Sequence, residues 1–165
     1  MMKYQHLVSV TGTITDIYGQ EDSCCLQVLV LDCEGQPVHA ILSPETWVVD
    51  ALPLRPGMRI AVFYDGAQPV PLIYPPQYKA FLAAPIHYSQ HITLKLFDQD
   101  LVASDQSLKL NLSPYSSISA LNGQPYLCSP GGHFLLVYYS SETRSIPPQT
   151  TPDRVIVLCS EEIER

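Results

Sequence analysis

Apolar residues fall at Val8, Val10 and Ile14, with polar or small residues between them. That period of two predicts a half-buried strand over residues 7–17. Gly12 interrupts the run and predicts a bulge or sharp bend. Residues 18–23 read as a turn, and the nearly continuous Leu/Val run of 24–31 as a second strand. Residues 32–36 form a tight turn with Gly35 in its left-handed position, and 38–42 pair back as a third strand. Ser43-Pro44 suits the opening of one helical turn. The β-branched and aromatic stretch 46–49 then predicts a strand, with Trp47 in the core. A turn at 54–58 launches a strand over 59–64. After a proline-rich passage another strand covers 79–84.

Residues 85–91 read as a linker. Beyond it, strands are predicted over 92–97, 101–103, 108–112, 134–139 and 154–159. Turns lie at 98–100, Asn122-Gly123 and Gly131-Gly132, a polar stretch at 113–119, and a solvated acidic tail at 161–164. Short strands between Gly/Pro turns, with no helix longer than a turn or two, predict an all-β chain, barrel or sandwich.

The two halves repeat one another. Leu42-Ser43-Pro44 returns as Leu112-Ser113-Pro114, Phe63-Tyr64 as Tyr138-Tyr139, and Pro75-Pro76-Gln77 as Pro147-Pro148-Gln149. The order is kept while the displacement drifts from 70 to 75 to 72, and each change falls in turn-like sequence, where insertions cost least. This predicts two tandem units related by internal duplication, at 4–86 and 87–165. Each Pro-Pro pair fixes φ near about −65° and restricts the residue before it, so a polyproline-type run should enter the next strand.

The opening strand–glycine–strand run, and Leu54-Arg55-Pro56-Gly57 ahead of a long strand, resemble small barrels of the oligonucleotide/oligosaccharide-binding (OB) type. The phrase from Val137 to Gln149 resembles a motif in small bacterial β-domain proteins of unknown function. That resemblance covers the first copy only loosely, because Thr143-Arg144-Ser145 has no counterpart there, and it implies no activity.

Composition changes the picture in one respect. Charged residues make up 15% of the chain, against about 25% in an average one. With ten tyrosines, this fits either an interface-rich surface or a neutral surface of Ser, Thr and Gln. A net charge of −7 without a Lys/Arg run disfavours nucleic-acid partners. No stretch of eighteen apolar residues and no apolar leader are found, so the expectation is a cytoplasmic chain without membrane contact.

Candidate chemistry is sparse. Cys24, Cys25, Cys33, Cys128 and Cys159 are odd in number and irregular in spacing, which predicts buried or half-buried free thiols. His87 and His91 are four apart, but Pro85 favours an extended chain there, so no metal site is expected. Ser43 and Ser113 lack a nucleophile-elbow frame. Asp98 and Asp100 share a turn and read as solvated, His39 is expected to face solvent or a partner, and His133 has no acid or thiol beside it in sequence. No catalytic residue or cofactor is assigned.

Contact is the better prospect. Tyrosines beside prolines offer flat apolar faces with hydroxyl handles. The residues expected to meet a ligand or partner are Tyr64, Tyr74, Gln77, Tyr139, Arg144 and Gln149. Tyr78, Tyr126 and Tyr138 lie close by in sequence, and Arg144 offers a cation to a carboxylate or phosphate. The leading expectation is a non-catalytic interaction or oligomerisation module whose partner is a protein or a second copy. The alternatives are a small-ligand, glycan or peptide binder and, behind it, a metal or thiol protein. Against both stands a purely structural loop core, in which tyrosines pack on prolines and the glutamines satisfy backbone groups.

Overall fold

The computed structural model describes residues 4–159, which are built from strands. In order these are β1 (Leu7–Gln20), β2 (Ser23–Cys33), β3 (Gln36–Leu42), β4 (Trp47–Val48), β5 (Arg59–Asp65), β6 (Gln77–Lys79) and β7 (Leu82–Pro85). They continue as β8 (His91–Leu96), β9 (Lys109–Leu110), β10 (Ser117–Ala120), β11 (Phe134–Tyr139), β12 (Gln149–Thr150) and β13 (Arg154–Leu158). The described residues are all-β apart from a single 3-10 turn, Val49–Ala51. It divides into two compact units: residues 6–88, and residues 4–5 with 89–159.

The first unit is one seven-stranded sheet in the order β4-β7-β5-β1-β2-β3-β6. β1 pairs antiparallel with β5 over its first half and with β2 over its second. The outermost pairs, β3 with β6 and β4 with β7, are parallel. Ile14, Leu31, Val38, Ile60 and Val62 form the centre of the core. The second unit has a four-stranded sheet, β10-β13-β11-β8, and a two-stranded one, β12-β9. Phe97, Leu108, Leu135, Val137 and Val155 lie in its core. Tyr4 returns to this unit, edge-on to Phe134 with ring centroids 5.8 Å apart.

No sheet closes into a barrel, contrary to the expectation from the turn pattern. β4 and β6 end the seven-stranded sheet and do not pair with each other. They are two and three residues long, and β6 follows Pro75-Pro76, which has no N–H to offer a closing ladder.

The pairing pattern of one unit recurs in the other. Val62 lies opposite Val10 and Ala83; Val137 lies opposite Thr93 and Val155. Trp47 faces Leu82 in a parallel ladder, as Ser117 faces Arg154. Ile14 faces Leu31, as Phe97 faces Ala103. The Gly57 N–H donates to the Ile14 carbonyl at 2.7 Å, and the Gly132 N–H to that of Phe97 at 2.9 Å. Both glycines have positive φ, 98° and 82°. The Thr46 hydroxyl accepts the Ser43 N–H at 3.0 Å and donates to the Ala80 carbonyl at 2.8 Å. Ser116 does the same with the Ser113 N–H at 3.2 Å and the Pro152 carbonyl at 2.7 Å. The units differ in three places, one of them a five-residue insertion ahead of β11 in the second unit. The β1–β2 hairpin beyond Ile14 and Leu31 shrinks to a short turn beyond Phe97 and Ala103, and the loop ahead of the second Pro-Pro-Gln is three residues shorter.

Several local expectations change. Trp47 is 43% exposed, because it opens the edge strand β4 instead of facing the core. The helical turn follows that strand instead of preceding it. The strand expected over 79–84 is two, β6 and β7, which join opposite ends of the sheet. Residues 101–103 form only isolated bridges. Gly12 holds regular register with Ile60, and the irregularity lies between Ile14 and Asp16. A Cβ at Gly12 would sit 2.6 Å from the Asp32 carbonyl oxygen, so this glycine permits the close approach of β2. Tyr74–Pro75 and Ile146–Pro147 are cis peptide bonds, where the sequence predicts polyproline geometry. Cys24, Cys25 and Cys128 are exposed, not buried, while Cys33 and Cys159 are half-buried. The acidic tail at 161–164 lies outside the described residues.

Candidate functional site

Near the end of β5 stands Tyr64, whose ring stacks on Tyr78 of β6 with centroids 4.0 Å apart and planes 13° from parallel. Burial first, then the hydrogen bond with Tyr78 and its charge, push the Tyr64 phenol up to about 12. This stack ties β5 to the short β6 and leaves residues 65–76 to arch between them. Asp65 starts the arch: its carboxylate accepts the Ala67 N–H at 2.9 Å, and its carbonyl accepts the Gln68 N–H at 3.2 Å. The Gly66 N–H donates to the His6 carbonyl at 2.7 Å. Beyond this turn Val70, Leu72, Ile73 and Tyr74 are all exposed, Leu72 completely. The Tyr74 hydroxyl donates to Gln36 Oε1 at 3.4 Å.

A cavity of about 390 Å³ lies at this arch. Ile41, Ala80 and Phe81 line it from the sheet, and Pro69, Val70 and Pro71 from the arch. Its polar lining includes Tyr64, Gln77, Ser43, Glu45, Asp65 and Lys79. Apolar walls with a few convergent polar groups are the ordinary make-up of a binding pocket. Two carboxylates face one ammonium, so the lining carries a net negative charge.

The second unit treats the equivalent edge differently. The Gln149 N–H donates to Thr143 Oγ1 at 3.0 Å, and the Thr143 N–H donates to the Gln149 carbonyl at 2.8 Å. The Gln149 side chain accepts from Asn111 Nδ2 at 3.0 Å. Thr143 and Ser145 hydroxyls are 2.6 Å apart, and the Thr150 hydroxyl bonds the Ser141 carbonyl. The loop of residues 140–146 is thus folded onto the edge of β12.

The six expected contact residues therefore fall into two groups. Tyr64 and Gln77 line the cavity, and Tyr74 lies on the exposed arch. Tyr139, Arg144 and Gln149 belong to the second unit. Tyr139 tilts against His91 at 5.4 Å, and burial followed by the Glu142 carboxylate raises its phenol. Arg144 is exposed. Glu45, Asp65, Lys79 and Thr143 are the residues sequence reasoning passed over. The usable signal was the repeat: the first loop is three residues longer and has no counterpart of Thr143-Arg144-Ser145.

Other candidates have local roles. Asp98, read as solvated, accepts the Asp100 and Val102 N–H groups at 2.8 and 3.0 Å and so shapes its turn. His133 Nε2 and the Tyr126 hydroxyl are 3.2 Å apart, and His39 meets the edge of Tyr18. Among the described residues no three His, Cys, Asp or Glu side chains are grouped as a metal site. Among them, too, no helix is long and apolar enough to cross a membrane.

In comparison with known proteins, no family model matches this sequence, and no curated protein matches it.

Proposed function

We propose that this chain is a non-catalytic protein-interaction module, made by duplication of one β unit, that works by contact at the loop leading into its first Pro-Pro-Gln. The observation that carries the reading is the exposed apolar run from Val70 to Tyr74 beside a cavity of about 390 Å³. Monomeric surfaces rarely keep such runs unless they meet something. A proline-rich segment also loses little conformational freedom on meeting a partner. Duplication is supported by the shared register and by the matched Thr46 and Ser116 hydrogen bonds. The two copies have then diverged: one loop is folded onto its own edge strand and the other arches away from it.

A photo-crosslinking residue at Leu72 tests this reading. Leu127 and Tyr88 are similarly exposed, at 91% and 93%, and serve as controls. The expected result is a discrete adduct, identified by mass spectrometry as one defined partner or a second copy, at position 72 and at neither control. Equal labelling at all three positions contradicts the reading.

A further inference from the structure

We propose that the β6 edge of the first unit takes an extended peptide from a partner protein as an added strand, with a Ser or Thr opposite Gln77 and a basic residue next to it. This rests on the interaction-module reading and assigns it a mode and a ligand class.

The second unit shows a related contact within its own chain, where a loop segment bonds to the β12 edge. Gln149 and Thr143 exchange two hydrogen bonds across the β12 edge, one of them through the threonine hydroxyl. Gln77 occupies the same register position. It faces His39 as Gln149 faces Lys109, and in each pair the partner's N–H donates to the preceding proline carbonyl at 2.8 Å. In a parallel ladder this turns the glutamine's own N–H and C=O to the other side. There Gln149 meets Thr143. Among the described residues, none hydrogen-bonds to that side of Gln77, and the cavity lies against Gln77 and Lys79 instead. An open edge with side-chain pockets beside it is the setting for strand addition.

Charge supplies the rest. The second-unit positions matching Glu45 and Asp65 are Tyr115 and Ser140, so the acidic pair is peculiar to the open cavity. The segment seated on Gln149 carries Arg144 directly after Thr143. A hydroxyl residue followed by a base therefore satisfies both the edge and the carboxylates.

The test uses the full chain and a fluorescent peptide with the sequence of residues 140–148, followed by anisotropy. Saturable binding is expected. Methylating the peptide's Thr backbone nitrogen removes one hydrogen bond and should weaken binding about tenfold. Replacing the peptide's Arg with Glu should weaken it as well, and Glu45→Lys in the protein should restore that loss. No saturable binding, or equal binding of the methylated peptide, overturns the proposal. So does sedimentation showing that the edge is filled by a second copy which the peptide cannot displace. If the peptide fails while Leu72 still crosslinks specifically, strand addition is wrong and the contact surface stands. If both fail, the interaction reading falls with it.

Discussion

Thr143 and Gln149 hold each other by two backbone-directed hydrogen bonds, 2.8 and 3.0 Å long, at the edge of β12. Gln77 has the same place on β6 and faces a cavity there. Thr143→Val removes the hydroxyl acceptor while keeping the side chain's shape. Amide exchange at Gln149 should then quicken several-fold, with a cost near 1 kcal/mol or less because the site is exposed. In the wild-type chain the Gln77 amide should already exchange fast. A Gln77 amide as protected as that of Gln149 would contradict this picture.

The matching hydrogen bonds of the two units give a paired prediction. Thr46→Val and Ser116→Ala each remove a hydroxyl that bridges an N–H and a carbonyl. Each should destabilise its unit by about 1–3 kcal/mol in denaturant unfolding. If one costs that much and the other nothing, the two networks are not equivalent.

Tyr64 sets a limit on the alkaline side. Its phenol is raised from 10.0 to about 12, chiefly by burial and then by Tyr78. A raised acid favours its neutral form in the fold. The stability it contributes is present below pH 10 and is lost as pH rises through about 12. Ultraviolet titration should show a late-ionising component that loses one tyrosine in Tyr64→Phe, the raised Tyr4 and Tyr139 phenols remaining. An unchanged titration in that variant would refute the assignment.

Asp105 acts at the other end of the scale. Its carboxyl is lowered from 3.8 to about 2, first by the Lys95 hydrogen bond at 2.9 Å and then by Ser107. Stability from this group is present above pH 3.8 and is lost as pH falls toward about 2. Both side chains are substantially exposed, so the effect is small and salt-sensitive. Lys95→Met should bring the Asp105 titration, followed by NMR, back toward 3.8.

Many strand positions were readable because strands such as Phe134–Tyr139 bury long apolar runs between turn residues. The recurring Pro-Pro-Gln and paired-aromatic motifs were readable because proline and aromatic residues leave a strong local mark. The parallel edges were not, since two- and three-residue strands are too short to show a period, and their partners lie far away in sequence. Trp47 misled because size predicts burial, whereas its position on an edge strand leaves it 43% exposed. Of the candidate site, Tyr64 and Gln77 came from the repeated motif. Glu45 and Asp65 did not, because only the folded edge brings them beside Gln77. Thr143 was visible merely as a residue without a counterpart in the first loop, and its bond to Gln149 depends on how the loop folds back.

On the proposed function, the first Pro-Pro-Gln loop works by contact and does not serve to hold its own unit together. The most direct measurement is thermal unfolding of a Leu72→Ser/Tyr74→Ser variant alongside crosslinking from an adjacent position, Val70. Surface changes away from packed features usually stay within about 0.5 kcal/mol each. An unchanged melting temperature with loss of the adduct is the expected result. A large fall in melting temperature with the adduct intact would contradict it and make the loop a structural element.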